Sequence, residues 1–70
     1  MEINYDKDAD AVYIRLRDGD FKKNKKLDDQ TILDMDQEGN ILGIEILDAS
    51  DRIPPESLKN VLVKNLDVVK

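Results

Sequence analysis

From Ala11 to Arg17 polar and apolar side chains alternate strictly, a period that fits a half-buried β-strand and not a helix. Val12, Ile14 and Leu16 point to one face, and Tyr13, Arg15 and Arg17 to the other. The β-branched and aromatic residues among them suit a pleated, partly covered surface. Upstream, Glu2-Ile3-Asn4-Tyr5 alternates in the same way, and Asp6-Lys7-Asp8-Ala9-Asp10 supplies polar turn residues. The two segments predict a hairpin, which Asp18-Gly19-Asp20 closes with a second turn.

The next segment, Phe21 to Leu27, carries Lys22, Lys23, Lys25 and Lys26. It reads as a third strand whose lysines guard a sheet edge, with a basic binding patch as the competing reading. A second hairpin follows. Thr31 to Met35 and Ile41 to Leu47 are strand-like, and Gly39-Asn40 between them tolerates the positive φ of a tight turn. Pairing Met35 with Leu42 sets Leu33 opposite Ile44 and Thr31 opposite Ile46; a slip of one residue sets Leu33 against Gly43, a poorer match. The preferred register leaves Ile32, Ile41 and Leu47 on the face of Asp34, Gly43 and Glu45, with Tyr13 nearby. A contiguous apolar patch there would mark a surface for a partner or for a second copy.

Pro54-Pro55 ends any strand, and Pro55 with Glu56 suits a helix start. Leu58, Val61, Leu62, Leu66 and Val69 then fall on one helical face. The fold expected is α+β: an antiparallel sheet of four to five strands, built as two consecutive hairpins, with one C-terminal helix over about 55–66. A terminal strand in the Val-rich end is the alternative. The 70 residues make one domain. A domain this short buries only about 60% of its unfolded surface. There is no Cys and no His, so disulfides and the usual zinc ligands are excluded and self-association is the remedy left open.

Met1-Glu2-Ile3-Asn4 lacks the basic and apolar regions of a signal peptide, and no apolar run approaches the ~20 residues of a membrane span. The expectation is a cytoplasmic protein without membrane attachment. A net charge of −5 argues against nucleic acid and suits a basic protein partner.

Little in the sequence supports catalysis or a cofactor. Ser50, Ser57 and Thr31 have no His to serve as base, and no phosphate-cradling or dinucleotide motif occurs. Paired carboxylates arise inevitably among 16 acidic residues, in a chain with little depth for a water-excluding cleft. The chain is therefore expected not to be an enzyme. Asp34 to Glu45 nearly fits a calcium loop, with Asp34, Asp36 and Glu38 at positions one, three and five, Gly39 at the turn and Glu45 last. Its flanks alternate like strands where helices are required, so a weak divalent-ion site on Asp34, Asp36, Glu38 and Glu45 is only an alternative. Asp6-Lys7-Asp8-Ala9-Asp10 lacks the glycine and the final acidic ligand, and reads as a turn.

Tyr5-Asp6, the block Ala9-Asp10-Ala11-Val12-Tyr13-Ile14-Arg15-Leu16, then Asp34, Asp36 and Gly39, and finally Gly43-Ile44-Glu45-Ile46-Leu47-Asp48-Ala49-Ser50 resemble the small prokaryotic domain of unknown function 2283. That family's pattern runs Tyr-Asp, a spacer, Ala-Asp-Ala-Leu-Tyr-Ile, and later Gly-Ile-Glu-Ile-Leu-Ala-Ser. Here Val12 replaces the commoner Leu and Asp48 is inserted; the likeness covers about residues 3–50. The resemblance implies a sheet domain without established activity and without catalytic residues to carry over. It also implies a place beside small toxin-like proteins, with this chain resembling the antitoxin partner. The leading expectation is a protein-binding module, antitoxin-like toward a basic toxin, acting through Tyr13, Arg15, Ile32, Ile41, Glu45 and Leu47 or through the lysine edge. A self-assembling homo-oligomer is the second reading.

Overall fold

A computed structural model describes residues 1–60. Five strands, β1 (Glu2–Asp6), β2 (Ala11–Arg15), β3 (Lys23–Asp28), β4 (Thr31–Met35) and β5 (Ile41–Ile46), form one antiparallel sheet in the order β1-β2-β5-β4-β3. Both expected hairpins are present, and the lysine segment is a strand at the sheet edge. The connection from β2 carries the chain past β5 and β4 to the far edge. It is anchored where Leu16 and Arg17 donate their N–H groups to the Leu42 carbonyl, at 2.8 and 3.3 Å, and Lys22 donates to Met35. Strand β2 thus stops at Arg15, and Leu16 belongs to this connection rather than to the strand face.

The central hairpin keeps Thr31 opposite Ile46 and Leu33 opposite Ile44, as the sequence predicts, but Met35 pairs with Ile41 instead of Leu42. The register shifts between Asp34 and Met35. Leu42 is the extra residue, and an extra residue in one strand bends it and re-aims its side chains. Two consequences follow. Leu42 is only 5% exposed, packed where a Cβ on Gly19 would come within 2.7 Å of its Cδ2. Ile41 shares the face of Met35, so the expectation that it sits beside Ile32 and Glu45 is overturned.

The cross-strand pairs sort the two faces. Ile3, Ile14, Ile44 and Leu33 form one row across β1, β2, β5 and β4, and Tyr5, Val12, Ile46 and Thr31 form the next. This is the apolar face. On the other, Glu2, Arg15, Gly43, Asp34 and Asn24 make one row, and Asn4, Tyr13, Glu45, Ile32 and Lys26 make another. This polar face is laced with charge.

In place of one C-terminal helix there are two short ones, α1 (Ala49–Arg52) and α2 (Pro55–Lys59). Asp48 takes a left-handed conformation (φ 50°) that turns the chain out of β5, and Ile53-Pro54 extends it again before Pro55 restarts the helix at its first position. Asn60 is extended, so α2 stops well before residue 66. The remainder of the expected helix, and its terminal-strand alternative, lie outside the described residues. Among the described residues no helix is long and apolar enough to cross a membrane.

Candidate functional site

Two loops of the sheet meet α1, and both do so through side chains that the local sequence prepares. Asp6 accepts the N–H groups of Asp8 (3.0 Å) and Ala9 (3.2 Å) on one oxygen, a turn an aspartate makes readily. The turn delivers Asp10 in a left-handed conformation, φ 52°. Its carboxylate then takes three hydrogen bonds: from the Tyr5 hydroxyl (2.9 Å), the Ser50 N–H (3.0 Å) and the Ser50 hydroxyl (2.7 Å). The Asp10 carbonyl also accepts the N–H of Ala49, whose side chain is fully buried. The Ser50 hydroxyl, then Tyr5, hold the Asp10 carboxyl below its usual range, and the same bond to Asp10 raises the Tyr5 phenol.

On the other side Gln30, in the β3–β4 turn, donates to Asp48 (2.7 Å) and accepts from the Leu47 N–H (2.8 Å). Arg52 of α1 reaches back to the Thr31 hydroxyl (2.7 Å) and lies 3.8 Å from Asp28. Helix α1 is thereby pinned between two turns. The Asp10–Ser50 contact spans 40 residues, and sequence reading missed it, treating Asp10 as a turn residue. The signal available was the company of Tyr5, Asp10 and Ser50 within the two motif blocks.

The pinning of α1 directs α2 across the apolar face. Ile53, Ser57 and Leu58 line one wall of a groove of about 220 Å³, with Ile3, Tyr5, Val12, Ile14 and Ile46 as its floor. Leu33, Met35, Ile41 and Ile44 continue the same face away from this groove. Very little of the apolar surface is sealed: Val12, Leu42 and Ala49 are the buried hydrophobic residues among those described, while Ile3, Tyr5 and Ile41 stay about 40% exposed. Lys23 and Lys25, opposite Met35 and Leu33, bound the face at the β3 edge. The first turn meets the α1 corner through Asp10, and that corner carries Asp48 and Asp51.

Tyr13, Arg15, Ile32 and Glu45 do share one face, the polar one. Ile41 lies on the opposite face, and Leu47 follows the end of β5, tied by its N–H to Gln30. The patch expected around Ile32 is therefore not contiguous; Ile32 stands between Glu45 and Lys26. Tyr13 covers Gly43, where an added Cβ would overlap both the phenol ring and its hydroxyl. Burial, then the Asp34 charge and hydrogen bond, push the Tyr13 phenol up. Arg15 bridges Asp18 at 2.9 Å and Glu2 at 3.5 Å, both exposed pairs of small energetic weight.

The acidic turn is spent on itself. Both Asp36 oxygens accept from Asn40, one from its N–H (2.8 Å) and one from its side-chain amide (2.9 Å), which holds that carboxyl below its usual range. Gly39 takes φ 88° to close the turn. Asp34 accepts from the Asn24 amide at 2.8 Å. Asp34, Asp36, Glu38 and Glu45 are not brought together, and among the described residues no group of three or more such side chains could hold a metal ion.

A five-stranded antiparallel sheet with two short helices defines a small α+β domain. The family model described as protein of unknown function (DUF2283) matches residues 2–50, and the chain belongs to that family. The match ends within α1, at Ser50, the residue that closes the bond to Asp10. No curated protein and no solved structure shows a significant match.

Proposed function

We propose that this domain is a non-enzymatic protein-binding module that works through the apolar face and the α2 groove. The observation that carries the reading is the incompletely sealed apolar face, exposed most at Ile3, Tyr5 and Ile41 among the described residues. An aliphatic row and a second row of Tyr5, Val12, Ile46 and Thr31 cross four strands, and among the described residues they are sealed only in part. An open apolar surface bounded by charge is what a partner would dehydrate. The Tyr5–Asp10–Ser50 cluster supports no rival catalytic reading. Its carboxylate is held in the acceptor form by three donors, and a carboxylate with a lowered pKa is a weak base toward a serine hydroxyl.

The finer reading is an antitoxin-like partner of a basic toxin-like protein inside the cell. The net charge of −5 and the resemblance to proteins found beside toxin-like ones support it. Charge of this kind steers encounter and orientation, while the apolar face supplies the affinity.

The test is affinity capture from the native cell with Ile41→Asp and Ile32→Asp, which place one carboxylate on each face. One discrete basic protein retained by wild type and Ile32→Asp but lost with Ile41→Asp is the expected result. Capture unaffected by Ile41→Asp, or no specific partner at all, overturns the assignment.

A further inference from the structure

The two edges of the sheet are unequal. Strand β3 carries Lys23, Lys25 and Lys26, and its register breaks between Lys26 and Asp28. Charged side chains and bulges of this kind discourage the addition of another strand. Strand β1 has no lysine and no proline, pairs with β2 through five consecutive residues without a break, and is exposed along its whole length. No described element covers its outer edge.

We infer that β1 is a homodimer edge: two copies pair antiparallel through β1 about a two-fold axis at Ile3, joining their sheets into one of ten strands. The inference stands apart from the proposed partner, which uses a face and not an edge. The side chains select both the occupant and the register. A continuous sheet must keep Ile3 and Tyr5 on the apolar face, so the axis passes through a residue and not between two. An axis at Glu2 or at Asn4 sets like charges directly opposite, Glu2 against Glu2 or Glu2 against Asp6, which destabilises a pair. An axis at Tyr5 sets Ile3 against Lys7 and uses Asp6, whose carboxylate already holds the turn.

An axis at Ile3 opposes Ile3 to Ile3, Glu2 to Asn4, and Met1 to Tyr5. No like charges meet, and the exposed Met1, Ile3 and Tyr5 gain apolar neighbours. The row Leu33–Ile44–Ile14–Ile3 then runs on through its two-fold-related counterpart in the second copy. A two-fold contact of this kind is closed, so it stops at a dimer instead of growing a filament.

Single cysteines in the otherwise cysteine-free chain test the register. Directly opposed antiparallel residues have Cα atoms about 4.5–5.5 Å apart, within disulfide reach. Under mild oxidation Ile3→Cys is expected to give a disulfide-linked dimer on a non-reducing denaturing gel, whereas Asn4→Cys and the opposite-edge variant Lys25→Cys give none. Light scattering of the wild-type chain should show mass rising from 8.0 kDa toward twice that value with concentration, and Ile3→Lys, checked for native circular dichroism, should remain at 8.0 kDa. A wild-type monomer at every concentration, or cross-linking of Asn4→Cys as readily as Ile3→Cys, overturns the proposal.

Discussion

Replacing Gly43 with alanine should destabilise the domain, and Tyr13 should be the whole reason. The Gly43 backbone is not left-handed, since Gly39 is the glycine with positive φ among the described residues. Alanine is therefore acceptable to the chain there and, in a strand, is better than glycine by about 0.5–1 kcal/mol. Against that gain stands the overlap of the new Cβ with the Tyr13 ring and hydroxyl. Overpacking of this sort costs about 1–3 kcal/mol, so the net loss should fall within about 0–2.5 kcal/mol. In a domain of this size each kcal/mol moves Tm by roughly 4–8 °C.

A double-mutant cycle isolates the cause. Tyr13→Val removes the ring while keeping a strand-favouring side chain. In that background Gly43→Ala should become neutral or stabilising, leaving a coupling of about 1–3 kcal/mol between the two sites. Urea unfolding followed by circular dichroism on the four proteins measures it. Coupling within the additive scatter of about 0.5 kcal/mol would refute the claim that glycine stands at 43 to seat the tyrosine.

Leu42→Ala should cost about 2–5 kcal/mol, as for other buried aliphatic residues, while Ile41→Ala, one residue away but partly exposed, should cost far less; urea midpoints compare them. Stability should also fall in acid. Asp10, Asp28 and Asp36 have lowered pKa values in the fold, so their contribution is full above the unfolded value of about 3.9 and is lost as pH drops through the folded values. Asp10→Asn should flatten part of that slope in Tm against pH. At the alkaline end Tyr5 and Tyr13 are raised, so stability should decline as pH climbs past about 10. Millimolar calcium should leave Tm unchanged, because Asp36 is committed to Asn40; a rise that saturates with calcium would restore the metal alternative.

Much of the sheet was legible because alternation is a local signal. Val12, Tyr13 and Ile14 declare a strand on their own, and Thr31–Ile46 with Leu33–Ile44 follow from matching apolar positions. The bulge at Leu42 was not legible: Met35–Leu42 and Met35–Ile41 are equally apolar pairs, and the Leu42 carbonyl is taken by N–H groups of the distant connection from β2. That one residue decides where the apolar surface lies, so the candidate patch moved with it from the Ile32 face to the Ile41 face.

The expected helix does begin at Pro55, but α1 before it was not foreseen. That first helix follows the left-handed corner at Asp48, which no periodicity announces. The Asp10–Ser50 bond joins residues 40 apart and has no local pattern, although both partners lie in the blocks that carry the family resemblance. Those blocks are also joined by Tyr13 over Gly43. In this chain the motif residues build the fold, and Tyr5, Val12, Ile14, Ile44 and Ile46 among them also form part of the apolar face.

Hydroxyl-radical footprinting of the purified chain and of the chain in its native cell tests the central claim most directly. Leu33, Met35 and Ile41 should be readily oxidised in the purified protein and protected in the cell, with Ile32 on the polar face unchanged between the two. Equal oxidation of the apolar face in both settings, or protection confined to Ile32 and Tyr13, would contradict the assignment of that face as the binding surface.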